Sequence, residues 1–242
     1  DIERAARGAV KACFSNAGQL CISVERIYVH ESVAAEFTER FVALTKQLRL
    51  GQSWTDDVGH LISEEHLQRV ASFVSSAVSC GARVLTGGTH DGLYYSPTVL
   101  VDVPHHADLY AAEVFGPVVY IETFSTVDEA VTRANDSTYG LNASVWGTVR
   151  PAREVASQLQ AGTVNVNEGF AAAWGSVDAP MGGWKQSGVG RRHADEGLLK
   201  FTESRTVAVQ RLVQISGPTD LSRQGYAKAL TTALRVGKRF LR

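Results

Sequence analysis

"VVYIETFSTVDEAVTRANDSTYGLNASVWGTVRPAREVASQLQAGTVNV", residues 118–166, decides the fold. Val118 to Phe124 is rich in β-branched and aromatic residues and reads as a strand. Val127 to Ala134 carries apolar residues at helical spacing, and Ala143 to Trp146 is strand-like again. Pro151 to Leu159 returns to the helical period, with proline expected at the first position, where its missing N–H costs nothing. Thr163 to Val166 closes the stretch as a strand. Strands alternating with helices argue for an α/β fold, a largely parallel sheet flanked by helices.

The alternation extends upstream. Ile2, Ala5, Ala6, Ala9, Val10, Cys13 and Phe14 recur at helical spacing, so residues 2–16 read as a helix stopped by Gly18. Arg26 to His30 is β-rich, and Ser32 is expected to cap a helix with the apolar stripe Val33, Phe37, Phe41 and Leu44, closed near Gly51. Ser63 opens a further helix carrying Leu67, Val70, Phe73, Val74 and Ala77 up to Gly81. Arg83 to Leu85 and Pro97 to Val103 then look extended. Downstream, the Gly-rich segment from Glu168 to Gly190 breaks all periodicity but holds too many apolar residues for disorder, which suits an ordered loop near a ligand. Thr206 to Leu212 alternates as a strand should. The tail turns basic, with seven Lys or Arg from Arg211 to Arg242 against Asp220. Leu230, Leu234 and Leu241 share one face of a helix there, expected to pack on a neighbouring subunit rather than on a membrane.

Charge and composition exclude several classes. The 242 residues carry a formal charge of −1 without long Lys/Arg runs, so nucleic acid is not an expected partner. No apolar run approaches the roughly 20 residues that span a bilayer, and membrane is not an expected partner either. Cys13, Cys21 and Cys80 are odd in number and form no C-x-x-C pair, which fits a reducing, cytoplasmic setting and no metal site. Cys21 follows a helix end and the flexible turn Asn16-Ala17-Gly18, whereas Cys13 and Cys80 fall on helices among apolar residues. A lone cysteine is usually a small buried hydrophobe, so position alone leaves Cys21 open between nucleophile and packed thiol. Glu113 and Phe115 taken alone read as a solvated acid and a core aromatic. Gly116-Pro117 after them marks a tight turn.

Six blocks change those odds together. Gly18-Gln19-Leu20-Cys21, followed by Glu25-Arg26, resembles the nucleophile turn of the aldehyde dehydrogenase superfamily. "EVFGPV" (113–118) resembles its cofactor segment. "YGLNASVW" (139–146), "AGTVNVN" (161–167) and "APMGGWKQSGVGRR" (179–192) resemble its later blocks, in order. "GLLKFTESRTVAV" (197–209) resembles the closing one. Within the family, "NEGFAAAWGSVDAPMGG" resembles succinate-semialdehyde dehydrogenases, and the combination with "CFSNAGQLCISVERIYV" is most similar to their actinobacterial type.

The resemblance implies a thiolate at Cys21 that attacks an aldehyde carbonyl, a thioester that is hydrolysed to the acid, and NAD or NADP as hydride acceptor. It implies that the Cys21 N–H donates to the oxyanion, that Glu113 holds the nicotinamide ribose, and that Phe115 packs beside the nicotinamide. Ser176 falls where the succinate-semialdehyde enzymes bind the distal carboxylate, although no Arg of the matched loop joins it. His66 stands where many members carry Gln near the adenosine side, which leaves NAD and NADP undecided. The general base, a second oxyanion donor and a Rossmann-like dinucleotide domain would precede Asp1, since "DIERAARGAV" resembles the segment just after the general-base block. Residues 1–205 are accordingly expected to form the catalytic domain, and residues 206–242 an oligomerisation strand and basic tail of a dimer or tetramer. The isolated chain is expected to be nearly inactive and prone to self-association. Two alternatives remain: another aldehyde as substrate, or an inactive truncated assembly partner.

Overall fold

The computed structural model describes residues 1–211, 217–218 and 220–238. The chain forms two compact units, Asp1–Thr202 and Glu203–Arg242.

In the first unit, helix α1 (Ile2–Phe14) is capped by Asp1, whose carboxylate accepts the Arg4 N–H at 2.9 Å. It buries Ala6, Ala9, Val10, Cys13 and Phe14, and it stops at Phe14 rather than Asn16 because Asn16 and Ala17 leave helical backbone angles. Strand β1 (Arg26–His30) runs straight into α2 (Glu31–Lys46). The cap of α2 is His30, not Ser32: the imidazole Nδ1 accepts the Ser32 N–H at 3.2 Å. Helix α3 (Glu64–Ser79) is capped by Ser63, as its position before the apolar stripe predicts.

Strand β2 (Arg83–Thr86), the short pair β3 (His90–Asp91) and β4 (Tyr94–Tyr95), strand β5 (Thr98–Val101) and α4 (Asp108–Ala111) follow. The stretch that decides the fold then supplies β6 (Val118–Phe124), α5 (Val127–Asn135), β7 (Tyr139–Gly140), β8 (Asn142–Val145), α6 (Val149–Ala156) and β9 (Thr163–Val166). Pro151 is the third residue of α6, not the first; that turn's N–H groups have no intrahelical acceptor, so proline is still tolerated. Helix α7 (Ala171–Gly175), strand β10 (Trp184–Lys185) and α8 (Ala194–Leu199) complete the unit.

The main sheet has the order β1-β6-β5-β2. β6 runs parallel to both β1 and β5, while β2 is antiparallel to β5. β8 and β9 form a second parallel pair. The chain is therefore an α/β protein with a mostly parallel sheet flanked by helices. Val118, Val119, Tyr120 and Ile121 are all buried, because a central strand covered on both faces needs a continuous apolar run rather than alternation. Between α1 and α2 the rings of Phe14, Phe41 and Phe37 stack in series, with centroids 6.0 and 5.7 Å apart.

In the second unit, Ser222 caps α9 (Arg223–Gly237), on which Leu230 and Leu234 are exposed. Residues 206–211 belong to no strand, contrary to the alternating pattern. Alternation supplies one face, but a strand exists only through the hydrogen bonds of a neighbouring edge. Leu212 and Leu241 lie outside the described residues. No helix among the described residues is long and apolar enough to cross a membrane.

Candidate active site

The chain leaves α1 through Asn16 (φ 52°), Ala17 (φ 55°) and Gly18 (φ 68°), three left-handed residues in succession. Such a conformation costs an L-residue roughly 1–2 kcal/mol, so the turn must be held from outside. Two neighbours of Cys21 do this. A Cβ on Gly18 would lie 2.1 Å from the Gly116 carbonyl oxygen, so only glycine permits that approach. The Gln19 side chain accepts the Ile62 N–H at 2.9 Å and donates to the His60 carbonyl at 3.3 Å. Beyond the cysteine, the Ser23 hydroxyl reaches the carbonyls of Ala12 and Cys13 at 3.1 and 3.0 Å, and the Val24 N–H donates to Ala12 at 3.0 Å. These bonds satisfy carbonyls that the end of α1 leaves open. The Asn142 amide fixes the Ile22 carbonyl at 3.0 Å. Cys21 is thus an exposed thiol on an over-determined turn.

Cys13 is buried, and burial pushes its thiol well above the ordinary range, with the nearby Glu25 adding to the shift. Cys80 does not sit among apolar residues as its sequence neighbours imply. It caps the C-terminus of α3 and is exposed. Brief alkylation of the native chain is therefore expected to label Cys21 and Cys80 and to spare Cys13, which peptide mapping will read. Label on Cys13 before denaturation would contradict its burial.

Glu113 to Phe115 is the second component. Phe115 is left-handed at φ 58° and half-buried. The Glu25 carboxylate accepts the N–H groups of Val114 and Phe115, each at 2.9 Å. On the opposite side His66 Nε2 donates to the Phe115 carbonyl at 2.7 Å, and Arg69 donates to the carbonyls of Glu113 and Val114 at 2.8 and 3.2 Å. His66, which the family resemblance places toward the adenosine side, braces Phe115 here, and its ring meets the Phe115 ring edge-on at 6.2 Å. The Glu113 carboxylate makes no hydrogen bond or ion pair among the described residues. An exposed carboxylate on a braced backbone fits the paired hydroxyls of a ribose.

Burial pushes the Glu25 carboxyl up to about 7, against the pull of the two N–H donors. The folded chain therefore holds this proton more tightly than the unfolded one. The stability contributed by this group falls as pH rises between 4.5 and about 7 and is constant on either side.

The third component is the segment after β9. Asn142 Oδ1 accepts from Thr163 and from Asn165 Nδ2, at 3.2 and 3.0 Å, and Asn165 Oδ1 accepts the Ala173 N–H at 3.0 Å. Ser144 donates to the Glu168 carbonyl at 2.6 Å, and a Cβ on Gly169 would meet Ala12 at 2.6 Å. The base of the loop is anchored, while residues 174–180 are exposed. Ser176 lies there, its hydroxyl donating to the Ala172 carbonyl at 2.7 Å. The Arg192 guanidinium stacks 4.5 Å over the nearby Trp174 ring.

A cavity of about 440 Å³ brings Cys21, Glu25, Glu113, Asn142 and Ser187 together. Phe115 and Ser176 are not among its lining residues. Reading the sequence missed Glu25, Arg69, Asn142 and Asn165. The signal for Glu25 was available as an acid beside Arg26, a charged pair between Val24 and Ile27 at the entry to a strand.

The sequence model of the aldehyde dehydrogenase family matches residues 1–207. A protein of Mycobacterium tuberculosis (strain ATCC 25618 / H37Rv), provisionally named succinate-semialdehyde dehydrogenase (NADP+) 2, is 47% identical over 98% of this chain and 47% of its own. A provisionally named succinate-semialdehyde dehydrogenase (NADP+) of Mycolicibacterium smegmatis is 48% identical over 97% of this chain and 47% of its own. The chain spans about half the length of the curated relatives it matches. Among solved structures, betaine aldehyde dehydrogenase from Staphylococcus aureus in complex with NAD+ superposes with a TM-score of 0.79 at 34% identity, covering 83% of this chain and 41% of that one. An NAD-dependent aldehyde dehydrogenase from Sinorhizobium meliloti gives 0.80 at 34% identity, covering 84% and 41%. A family match that takes in the Cys21 turn, the braced Glu113–Phe115 segment and the anchored loop leaves one conclusion: the chain belongs to the aldehyde dehydrogenase family.

Proposed function

We propose that this chain is the thiol-bearing catalytic portion of an NAD(P)-dependent aldehyde dehydrogenase that oxidises succinate semialdehyde to succinate, with Cys21 as nucleophile. The observation that carries the reading is the exposed Cys21 thiol at a cavity it shares with the Glu113 carboxylate, which has no hydrogen-bond or ion-pair partner among the described residues. Addition of Sγ to the aldehyde carbon gives a hemithioacetal, and in this reading the Cys21 N–H donates to the oxygen as charge develops on it. A bound nicotinamide supplies the acceptor for the hydride that leaves that carbon. Sγ then carries a thioester, and water attacks it to release the carboxylic acid and restore the thiol. Glu113 and Phe115 are the residues of this chain that would hold the nicotinamide half of the cofactor, one through ribose hydroxyls and one through its ring. Residues 206–242 supply an oligomerisation segment in this reading.

Succinate is the inferred product because the relatives carry that name and because Ser176 sits at the exposed end of an anchored loop. The Ser176 proton is engaged with Ala172, so binding a distal carboxylate requires the hydroxyl to exchange one acceptor for another. The net gain is then modest. Ser176→Ala, in a polypeptide of the relatives' length, is expected to raise the KM for succinate semialdehyde about three- to tenfold, as loss of one hydrogen bond to a charged group should. The KM for an uncharged aldehyde of similar length is expected to stay put. Equal shifts for both substrates would remove Ser176 from substrate selection, and a panel of aldehydes run on the unaltered protein tests the substrate class itself.

A further inference from the structure

We propose that Glu25 is the positioning residue of the dinucleotide site, locking the Glu113 carboxylate and the Phe115 ring to the segment that carries Cys21. The inference rests on the functional reading above and deepens it, since it assigns to Glu25 a role exerted through the backbone of Val114 and Phe115.

Phe115 needs such a lock. Its left-handed backbone, φ 58°, is unfavourable for a bulky aromatic and persists only where the surroundings impose it. Every backbone polar group from the Glu113 carbonyl to the Phe115 carbonyl is taken by one of three side chains. Arg69 and His66, both on α3, hold the carbonyls; Glu25 alone holds the N–H groups. The two sides are not equivalent. His66 and Arg69 tie the segment to a helix remote in sequence from the thiol, whereas Glu25 lies four residues after Cys21 on the same continuous chain. Gly18 closes the joint from before the thiol, where it touches the Gly116 carbonyl. The nucleophile turn and the cofactor segment are thereby one mechanical unit, clasped by Gly18 on one side of Cys21 and Glu25 on the other.

The clasp depends on charge. A carboxylate accepts on both oxygens, so each N–H has its own acceptor. A protonated Glu25, or a glutamine in its place, offers one good acceptor and turns a donor or a weak acceptor toward the other N–H. The charged and titratable groups around the Glu25 carboxyl are Arg26 on β1, Glu113 beyond α4 and Cys13 on α1. Arg26 favours the ionised form, Glu113 opposes it, and the buried Cys13 thiol stays protonated. With the carboxyl at about 7, the clasp is complete above neutrality and loses one bond as pH falls through that value.

The first test needs no turnover. In the isotope-labelled chain, the Val114 and Phe115 amide resonances are expected to move together in one titration with a midpoint near 7. Glu25→Gln is expected to abolish that titration and to speed hydrogen exchange at one of the two amides by about tenfold or more. Amides that do not titrate in the unaltered chain, or exchange that Glu25→Gln leaves unchanged, would overturn the proposal; if the variant does not fold, the titration of the unaltered chain decides. The second test uses a polypeptide of the relatives' length. There Glu25→Gln is expected to raise the dinucleotide KM about tenfold, with less than about a twofold change in aldehyde KM and in the rate of Cys21 alkylation. Equal increases in both KM values, or a fall in kcat alone, would reduce Glu25 to a fold-maintaining residue and overturn its positioning role. An unaltered polypeptide that oxidises no aldehyde would instead overturn the functional reading, with the amide titration still judging the clasp.

Discussion

Cys21→Ser is expected to lower aldehyde oxidation by at least about three orders of magnitude in a polypeptide of the relatives' length, while the fold stays intact. A serine hydroxyl is almost wholly protonated near neutral pH, whereas a thiol ionises far more readily and its thiolate is intrinsically very nucleophilic. Removal of a covalent nucleophile costs about this much or more where it has been isolated from its supporting groups. The structural side is the control. Cys21 is exposed, so an isosteric exchange removes no packing and the unfolding midpoint is expected to stay in place. Cys13→Ser behaves oppositely: it puts a hydroxyl among buried apolar groups and is expected to destabilise the chain with no specific effect on kcat. Steady-state rates and thermal melts on the two variants separate a reactive thiol from a packed one. Retention of more than about a tenth of the activity in Cys21→Ser would exclude Cys21 as the nucleophile.

Gly18→Ala carries the second large effect, this time in stability. An alanine at φ 68° pays the left-handed penalty of about 1–2 kcal/mol. Its Cβ would also stand 2.1 Å from a backbone oxygen, Gly116 O, which cannot swing aside as a side chain can. Forced displacement of packed backbone adds about 1–3 kcal/mol, so a total of about 2–5 kcal/mol is expected, a large part of a typical domain's stability. Urea unfolding is expected to show a lower midpoint at unchanged slope. A midpoint equal to that of the unaltered chain would mean that the turn and the Gly116 carbonyl are not in contact. Where Gly18→Ala still folds, alkylation of Cys21 reports whether the displaced turn also misplaces the thiol.

Legibility in the sequence followed the range of the interactions. β6 and β9 could be bounded to the residue because burial on two faces, or on one, writes itself into a run of neighbouring side chains. α3 was readable for the same reason, with Ser63 ahead of a regular apolar stripe. The cap of α2 was not, because a histidine accepting through Nδ1 is a rarer solution than a serine one position on. Residues 206–211 show the limit of patterning, since alternation specifies a face and not a partner. Cys21 could be singled out only through several blocks taken together; its residue type and turn left it undecided. The clasp on Phe115 was invisible for a different reason. Glu25 reaches a backbone 89 and 90 residues away, and a side chain bonding to amides leaves no requirement on which residues carry those amides.

Substrate range and chemistry are built on separate supports. The loop after β9 is fixed at its root by Asn142, Asn165 and Ser144, whereas Trp174 to Pro180 make few demands on the interior. Under the proposed function, exchanges in that tip are therefore expected to alter which aldehyde is admitted without loosening the turn that holds the thiol. A change of aldehyde would in this reading need only surface exchanges, each nearly neutral for folding, whereas an exchange at Asn142, Asn165 or Ser144 would disturb the polar lattice beneath them.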